Sequence, residues 1–372
     1  MQPRYEIRDV LDRLGDRVEQ IGLNTWQLRT LYALQKCRTS ALGGHIDACD
    51  ECGEIRISYN SCRNRHCPKC QGNNREEWIA AREHELLPVT YFHVVFTLPE
   101  VLNALALHDP QSVYGVLFES AWQTISVFSK SKKLKSGMIA VLHTWGQNLS
   151  LHPHLHCIVP GGGVDVNGRW QALRRDGKFL FPVKAMSKVF RGKYCHLLQS
   201  KSPDTYRSLR AELWKKPWVV YAKRPFGSPS SVVEYLGRYT HKVAISHHRL
   251  REVGDSEVVI DYKDYRQGGM KKQMRLRHAD FIRRFSLHIL PKRFVKIRHY
   301  GILSSTWKRE KLGELQYQMT GIRQESRREE EKPLPRCESC GKGRMQRVLI
   351  FDERGPPSGQ IGAGPTGHSC SR

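Results

Sequence analysis

The stretch Leu151-His152-Pro153-His154-Leu155-His156-Cys157 gathers metal-capable side chains into a short span. Leu155 to Val159 reads as a strand, closed by Pro160 and by Gly161, Gly162 and Gly163. Residues two apart on a strand share a face, so His154 and His156 project together while Leu155 turns into the opposite layer. Two imidazoles held this way form a rigid half-site for a divalent metal. His152 ranks second, because Pro153 bends the chain between it and the pair. The competing reading is a polar strand face whose histidines meet solvent or hydrogen-bonding partners.

A second chemistry lies upstream. Cys49-x2-Cys52 and Cys67-Pro68-Lys69-Cys70 are two knuckles, each a short turn that brings both thiolates to one ion. Their separation predicts a closed tetrahedral Zn²⁺ site of ribbon type, with Cys62, His66, His45 and Cys37 near enough to replace a ligand or build another site. Paired cysteines suit a structural metal better than a reactive thiol. Arg63, Arg65 and Lys69 sit among these ligands, where a metal-braced loop can present them to phosphates. The alternative is a solvated basic loop.

A third constellation is Ser231 to Lys242. Ser231 with Glu234 is a capping box after Pro225, Gly227 and Pro229, so a helix starts here. Tyr235 and Tyr239 then share one face at i, i+4, with Arg238 and Lys242 forming a neighbouring pair. Two phenols beside two cations can face a phosphodiester. The plainer reading is an amphipathic helix whose tyrosines pack on a sheet.

The elements that must carry these groups alternate. Ile7, Val10, Leu11, Leu14 and Val18 recur at helical spacing, and Asn24 or Thr25 caps a second helix. Asn74 to Leu87 reads as a charged helix, Tyr91 to Pro99 as a buried strand, 111–129 as an amphipathic helix and Met138 to Trp145 as a further strand. Residues 200–230 read as a connection with a short strand at Trp218–Ala222, and Lys271 to His278 as a strand. That order is an α+β sheet with helical cover. Arg283, Arg284, Lys292 and Arg293, with aromatic residues between, fit a groove that follows a nucleic-acid strand, or else a solvated basic face. Cys337-x2-Cys340 opens a Gly/Pro-rich tail ending in His368 and Cys370, a candidate second zinc site.

The whole chain sets bounds. Its 372 residues suffice for about two or three domains. Lys+Arg 61 against Asp+Glu 36 gives a net charge of +25, which points to a polyanionic partner. There is no apolar run long enough for a membrane span, and the first residues are too polar for a secretory signal. Eleven cysteines then suit metal ligation in a reducing cytoplasm.

Several motifs fall in one order: the ribbon Cys49–Cys70, Val94-Val95-Phe96-Thr97-Leu98-Pro99, His152-Pro153-His154-Leu155-His156 with its glycines, Tyr235-Leu236-Gly237-Arg238-Tyr239, Phe281 to Pro291, and Arg298-His299-Tyr300-Gly301. This combination resembles the HUH nucleases, and more narrowly the two-tyrosine rolling-circle transposases of the insertion-sequence-ninety-one type. The resemblance implies an N-terminal helical segment with a zinc ribbon over residues 1–88, an HUH catalytic domain with a central antiparallel sheet flanked by helices over 89–321, and a charged linker with a Cys-containing tail over 322–372. It implies that His154 and His156 are the metal pair and that Tyr235 and Tyr239 are the nucleophiles. It leaves the third ligand open, with Gln147 first and His152 or His241 behind it. The implied activity nicks and rejoins single-stranded DNA at element ends and target, through 5′-phosphotyrosine intermediates, with Mg²⁺ or Mn²⁺ at the site, in a bacterial cytoplasm at the nucleoid. Self-association into a homo-oligomer stays open. Two other readings remain: a non-catalytic zinc-ribbon nucleic-acid-binding protein, and a replication initiator or relaxase with the same chemistry.

Overall fold

The computed structural model of the chain describes residues 3–71, 79, 82, 84–173, 180–222, 226, 231–232, 234–235, 237, 242–322 and 333–355. The expected charged helix at 74–87, the linker at 322–333 and the tail after 355 therefore lie largely or wholly outside the described residues.

The N-terminal helices form where their caps and periodicity demand. Helix Ile7–Leu14 buries Ile7, Val10, Leu11 and Leu14, and its start is closed by a capping box between Glu6 and Asp9. Helix Thr25–Gln35 is capped by Asn24, whose side chain accepts from the Gln27 amide. A hairpin of β1 (Gly44–Cys49) and β2 (Ile55–Tyr59) follows, with the Cys49–Cys52 knuckle in its turn.

The central sheet is built from β3 (Tyr91–Thr97), β4 (Gly137–Trp145), β5 (Leu151–Pro160), β8 (Val220–Ala222) and β12 (Ile297–Gly301), in the order β12-β4-β5-β3-β8, all antiparallel. Short strands β6 (Gly162–Val164) and β7 (Trp170–Ala172) form a side hairpin. Strands β9 (Leu250–Val253), β10 (Glu257–Asp264) and β11 (Met270–Arg277) form a separate sheet, ordered β11-β10-β9. The architecture is thus α+β, with antiparallel sheets and helices in separate layers.

Alternation assigns the two faces of the central sheet. Leu155, Cys157, Val159, Leu142, Ala140, Phe96 and Val94 face helices Pro110–Lys130 and Val183–Lys201 and are buried in one core with them. A one-residue slip would turn this set outward, at about 1.5–3 kcal/mol for each large side chain. Packing on that face therefore locks the register, and with it the opposite face that carries the histidines. Pro153 lies within β5 and does not end it. It sits where the β4–β5 register shifts between His143 and Trp145, and a bulge is where a strand tolerates proline.

Two expectations are corrected. The tract 200–230 contains helix Pro203–Lys215, opened by a proline in its first turn and held by buried Leu213, with Tyr206 and Leu209 packed on the core. The C-terminal segment is not a free tail throughout. Strand β13 (Met345–Phe351) pairs antiparallel with β1 and completes a three-stranded ribbon, β13-β1-β2. The N-terminal helices pack in one core with Leu250, Val258, Ile260, Phe281 and Phe285.

Candidate metal centre and cysteine clusters

His154 pairs with Thr97 on one side and with His143 on the other, and His156 pairs with Val95 and Val141. Cross-strand partners share a face, so His143 joins His154 and His156. Ligand nitrogens of the three lie within 4.8 Å of one another. Ring centroids are 5.5 Å apart for His143–His154, 4.6 Å for His143–His156 and 5.0 Å for His154–His156. Three convergent imidazoles fit a divalent cation.

Neighbours set the state of these rings. The His154 Nδ1 lies 2.6 Å from the His152 carbonyl, so Nδ1–H donates there and Nε2 keeps its lone pair for a metal. The His156 Nδ1 lies 2.9 Å from His93 Nε2, and the two rings stack at 5.1 Å. Burial pushes the His154 pKa down to about 4, and burial together with His154 and His93 holds His156 well below its usual value. Both are neutral imidazoles at pH 7, as ligation requires. Trp145 stacks on His143 at 4.5 Å, closing that side.

The tyrosine helix meets this centre through His93. The Tyr235 ring lies 5.1 Å from that of His93 and 5.0 Å from that of Phe226. Tyr239, Arg238 and the fallback ligand His241 lie outside the described residues. Lys242 lines a small pocket with Arg65, His66, Trp145 and Lys296, and its carbonyl accepts from Lys296 Nζ at 2.9 Å.

His143, not among the ligands expected from the sequence, completes a group of three histidines able to share one ion. Gln147 sits in the β4–β5 turn, where its backbone carbonyl accepts from Arg249 Nη2. His152 is exposed, past the bulge, and contributes its carbonyl rather than its ring. His143 was missed in the sequence; the strand at 138–145 and the turn at 146–150 signal an antiparallel return, and the register with its bulge sets His143 opposite His154.

The cysteines also regroup. Cys37, Cys62, Cys67 and Cys70 form one cluster, with sulfurs 3.6 Å apart for Cys37–Cys70, Cys62–Cys70 and Cys67–Cys37. A tetrahedral zinc with about 2.3 Å bonds needs sulfurs about 3.8 Å apart, so this donor set fits zinc. Hydrogen bonds from Cys62 and Cys67 lower the Cys37 thiol and favour a thiolate there. The expected pairing of Cys49 and Cys52 with Cys67 and Cys70 is overturned: the first knuckle instead meets Cys337 and Cys340. The hairpin carries Cys49 to the far end of β1, beside β13, while Cys67 is buried against the N-terminal helices. His66 is not a ligand either. Its Nδ1 lies 3.1 Å from Asn64 Oδ1 and its Nε2 accepts from the Leu290 amide at 3.1 Å, which occupies both nitrogens. His368 and Cys370 lie outside the described residues.

The basic residues divide. Arg65 donates to the carbonyls of Leu290, Pro291 and Phe294, so it pins the first cluster to that loop. Lys69 pairs with Glu6. Arg283 pairs with Asp280 at 2.9 Å, and Arg284 donates to the Asn148 carbonyl at 3.3 Å. Arg63, Lys292 and Arg293 are exposed, and Arg63 lines a cavity of about 710 Å³ with Arg38 and Arg347.

The chain is similar in sequence to known proteins. The family described as "Putative transposase" matches residues 137–311, and the "Transposase zinc-binding domain" associated with IS91 matches residues 10–98. The chain is 40% identical to "Putative transposase y4qJ" of Sinorhizobium fredii, over 95% of this chain and 97% of that protein. It is 28% identical to the "Transposase for insertion sequence element IS801" of Pseudomonas savastanoi pv. phaseolicola, over 77% of this chain and 73% of that protein. No solved structure matches the chain. Among the described residues no helix is long and apolar enough to cross a membrane. A zinc-binding domain over the cysteine-rich N-terminus, a transposase domain over the histidine strands and a relative similar along nearly its whole length agree: the chain belongs to the IS91 family of transposases, whose partner is DNA.

Proposed function

We propose that the chain cleaves and rejoins single-stranded DNA by tyrosine attack at a three-histidine metal centre, and so moves its element by rolling-circle transposition. The observation that carries this reading is the convergence of His143, His154 and His156 on one sheet face, one ring away from Tyr235. Mg²⁺ or Mn²⁺ fits there, Mn²⁺ tolerating nitrogen donors better, and when bound it would withdraw charge from a scissile phosphate. His143, His154 and His156 would hold the ion through ring nitrogens, while the His152 carbonyl and His93 orient the rings of His154 and His156. Tyr235 and Tyr239 are the nucleophiles, and Arg238 and Lys242 flank them with positive charge. A phenol attacks phosphorus and gives up its proton, the P–O3′ bond breaks and the 3′-oxygen takes up a proton to leave as a free hydroxyl, and the 5′-phosphotyrosine keeps the bond energy for rejoining. Two tyrosines allow two strand ends to be held at once. Exposed Arg63, Lys292 and Arg293 contact the DNA backbone.

The test is incubation of the full chain with single-stranded oligonucleotides from both element ends and Mn²⁺. A covalent protein–DNA band is expected for the wild type and none for the Tyr235→Phe/Tyr239→Phe double variant. An adduct in the double variant would sink the assignment.

A further inference from the structure

The family's zinc-binding domain ends at residue 98, yet the knuckle Cys49–Cys52 finds its partners near the other end of the chain. Cys49 and Cys340 sulfurs are 3.8 Å apart, and so are those of Cys52 and Cys337. Those are the edges of a tetrahedron with zinc–sulfur bonds of about 2.3 Å, and far longer than the bond of about 2.05 Å in a disulfide. We propose that Cys49, Cys52, Cys337 and Cys340 form a second structural zinc site, a clasp that joins the two ends of the chain across the catalytic domain.

Three features besides the sulfurs point to a built site. The second knuckle has the amide geometry of a thiolate turn: the Gly343 amide donates to Cys340 Sγ at 3.4 Å, and the Cys337 amide to the Gly343 carbonyl at 2.9 Å. The two knuckles are latched by backbone. The Asp50 amide donates to the Arg344 carbonyl at 3.1 Å, and the Arg344 amide to Asp50 Oδ1 at 2.7 Å. Gly343 is required by the fit, because a Cβ there would meet Cys49 Sγ at 2.4 Å and Asp50 Oδ1 at 2.7 Å.

The site has a consequence for assembly. Its halves lie 285 residues apart for Cys52 and Cys337, so it cannot form until nearly the whole chain is made. Closing it seats β13 on β1 and brings Arg347 to the basic cavity shared with Arg38 and Arg63.

The test counts thiolate-bound metal in the reduced full chain. Cobalt substitution reads thiolate ligation by its charge-transfer absorption, which the three-histidine centre does not contribute. The Cys337→Ser/Cys340→Ser variant should lose one equivalent of zinc and about half of that absorption, and Gly343→Ala should do the same. Cys67→Ser/Cys70→Ser should lose the other half. A second arm places a specific protease site in the charged sequence at 323–332. After cutting, the C-terminal fragment should stay with the rest on size exclusion and come free with 1,10-phenanthroline. Full absorption in the Cys337→Ser/Cys340→Ser variant, or release of the fragment without chelator, would overturn the proposal.

Discussion

His143 is the residue that changes the view of the site. It stands opposite His154 in β4, shares the cluster, and is buried under Trp145. His143→Ala should therefore lose Mn²⁺ affinity and cleavage by about a hundredfold or more, as His154→Ala and His156→Ala should, while DNA binding is kept. Calorimetric Mn²⁺ binding and an oligonucleotide cleavage assay check this, and wild-type values for His143→Ala would exclude it as a ligand. His93 acts through His156. His93→Phe keeps the stack but removes the 2.9 Å contact, and should weaken metal binding about 10–100-fold without unfolding the chain. His288 contributes to the pH dependence of stability alongside the other buried histidines, His66, His154, His156 and His299. It is buried between Thr144 and the Leu149 carbonyl, and burial pushes its pKa down to about 4. The unfolded chain takes up that proton first, near pH 6.5, so stability is highest above 6.5 and falls as pH drops toward 4. Its share of the loss is on the order of 3 kcal/mol by pH 4. Urea melts at pH 7, 6 and 5 should show a shallower decline for His288→Gln than for wild type. Equal slopes would remove His288 from the account.

At the scale of the element, β12 and its turn show where the fold cannot give. Gly301 ends β12 at φ +58, with a Cβ there only 2.0 Å from the Ser136 carbonyl oxygen and 2.7 Å from Trp122. Gly301→Ala should destabilise by about 3 kcal/mol, through left-handed backbone strain and the clash together. A thermal melt within error of wild type would contradict this. β12 forms the edge beside β4, so the loss should also weaken metal binding by loosening the strand that carries His143.

At the scale of the whole molecule, Arg65 links the first cysteine cluster to the loop 290–294 through three carbonyls. Arg65→Met leaves those acceptors unpaired and should cost on the order of 2–3 kcal/mol. The salt dependence of DNA binding should not change with it, because the guanidinium already has its partners. Arg63→Ala should instead lower the slope of log K against log salt by about 1 with little effect on stability. Slope measurements on both variants separate the roles, and the reverse pattern would return Arg65 to the DNA surface. Lys69, tied to Glu6, belongs with Arg65 in this division.

Local patterns were decided by the sequence itself. The cap at Asn24, the period of Ile7 to Leu14, the strand at 138–145 and the shared parity of His154 and His156 need only near neighbours in the chain, and each was legible. So was the family resemblance, because its motifs are ordered along the chain. Partnerships across distance were decided by tertiary structure. Cys49 and Cys52 join Cys337 and Cys340 because β13 pairs with β1, and no spacing rule reaches across that separation. His66 looked like a ligand until the Leu290 amide took its second nitrogen. Arg65 looked like a phosphate contact until the loop at 290–294 supplied carbonyls for it. The family resemblance pointed to Gln147 and did not name His143; the antiparallel register of β4 on β5 brings His143 opposite His154, since cross-strand distance is set by pairing and not by sequence order.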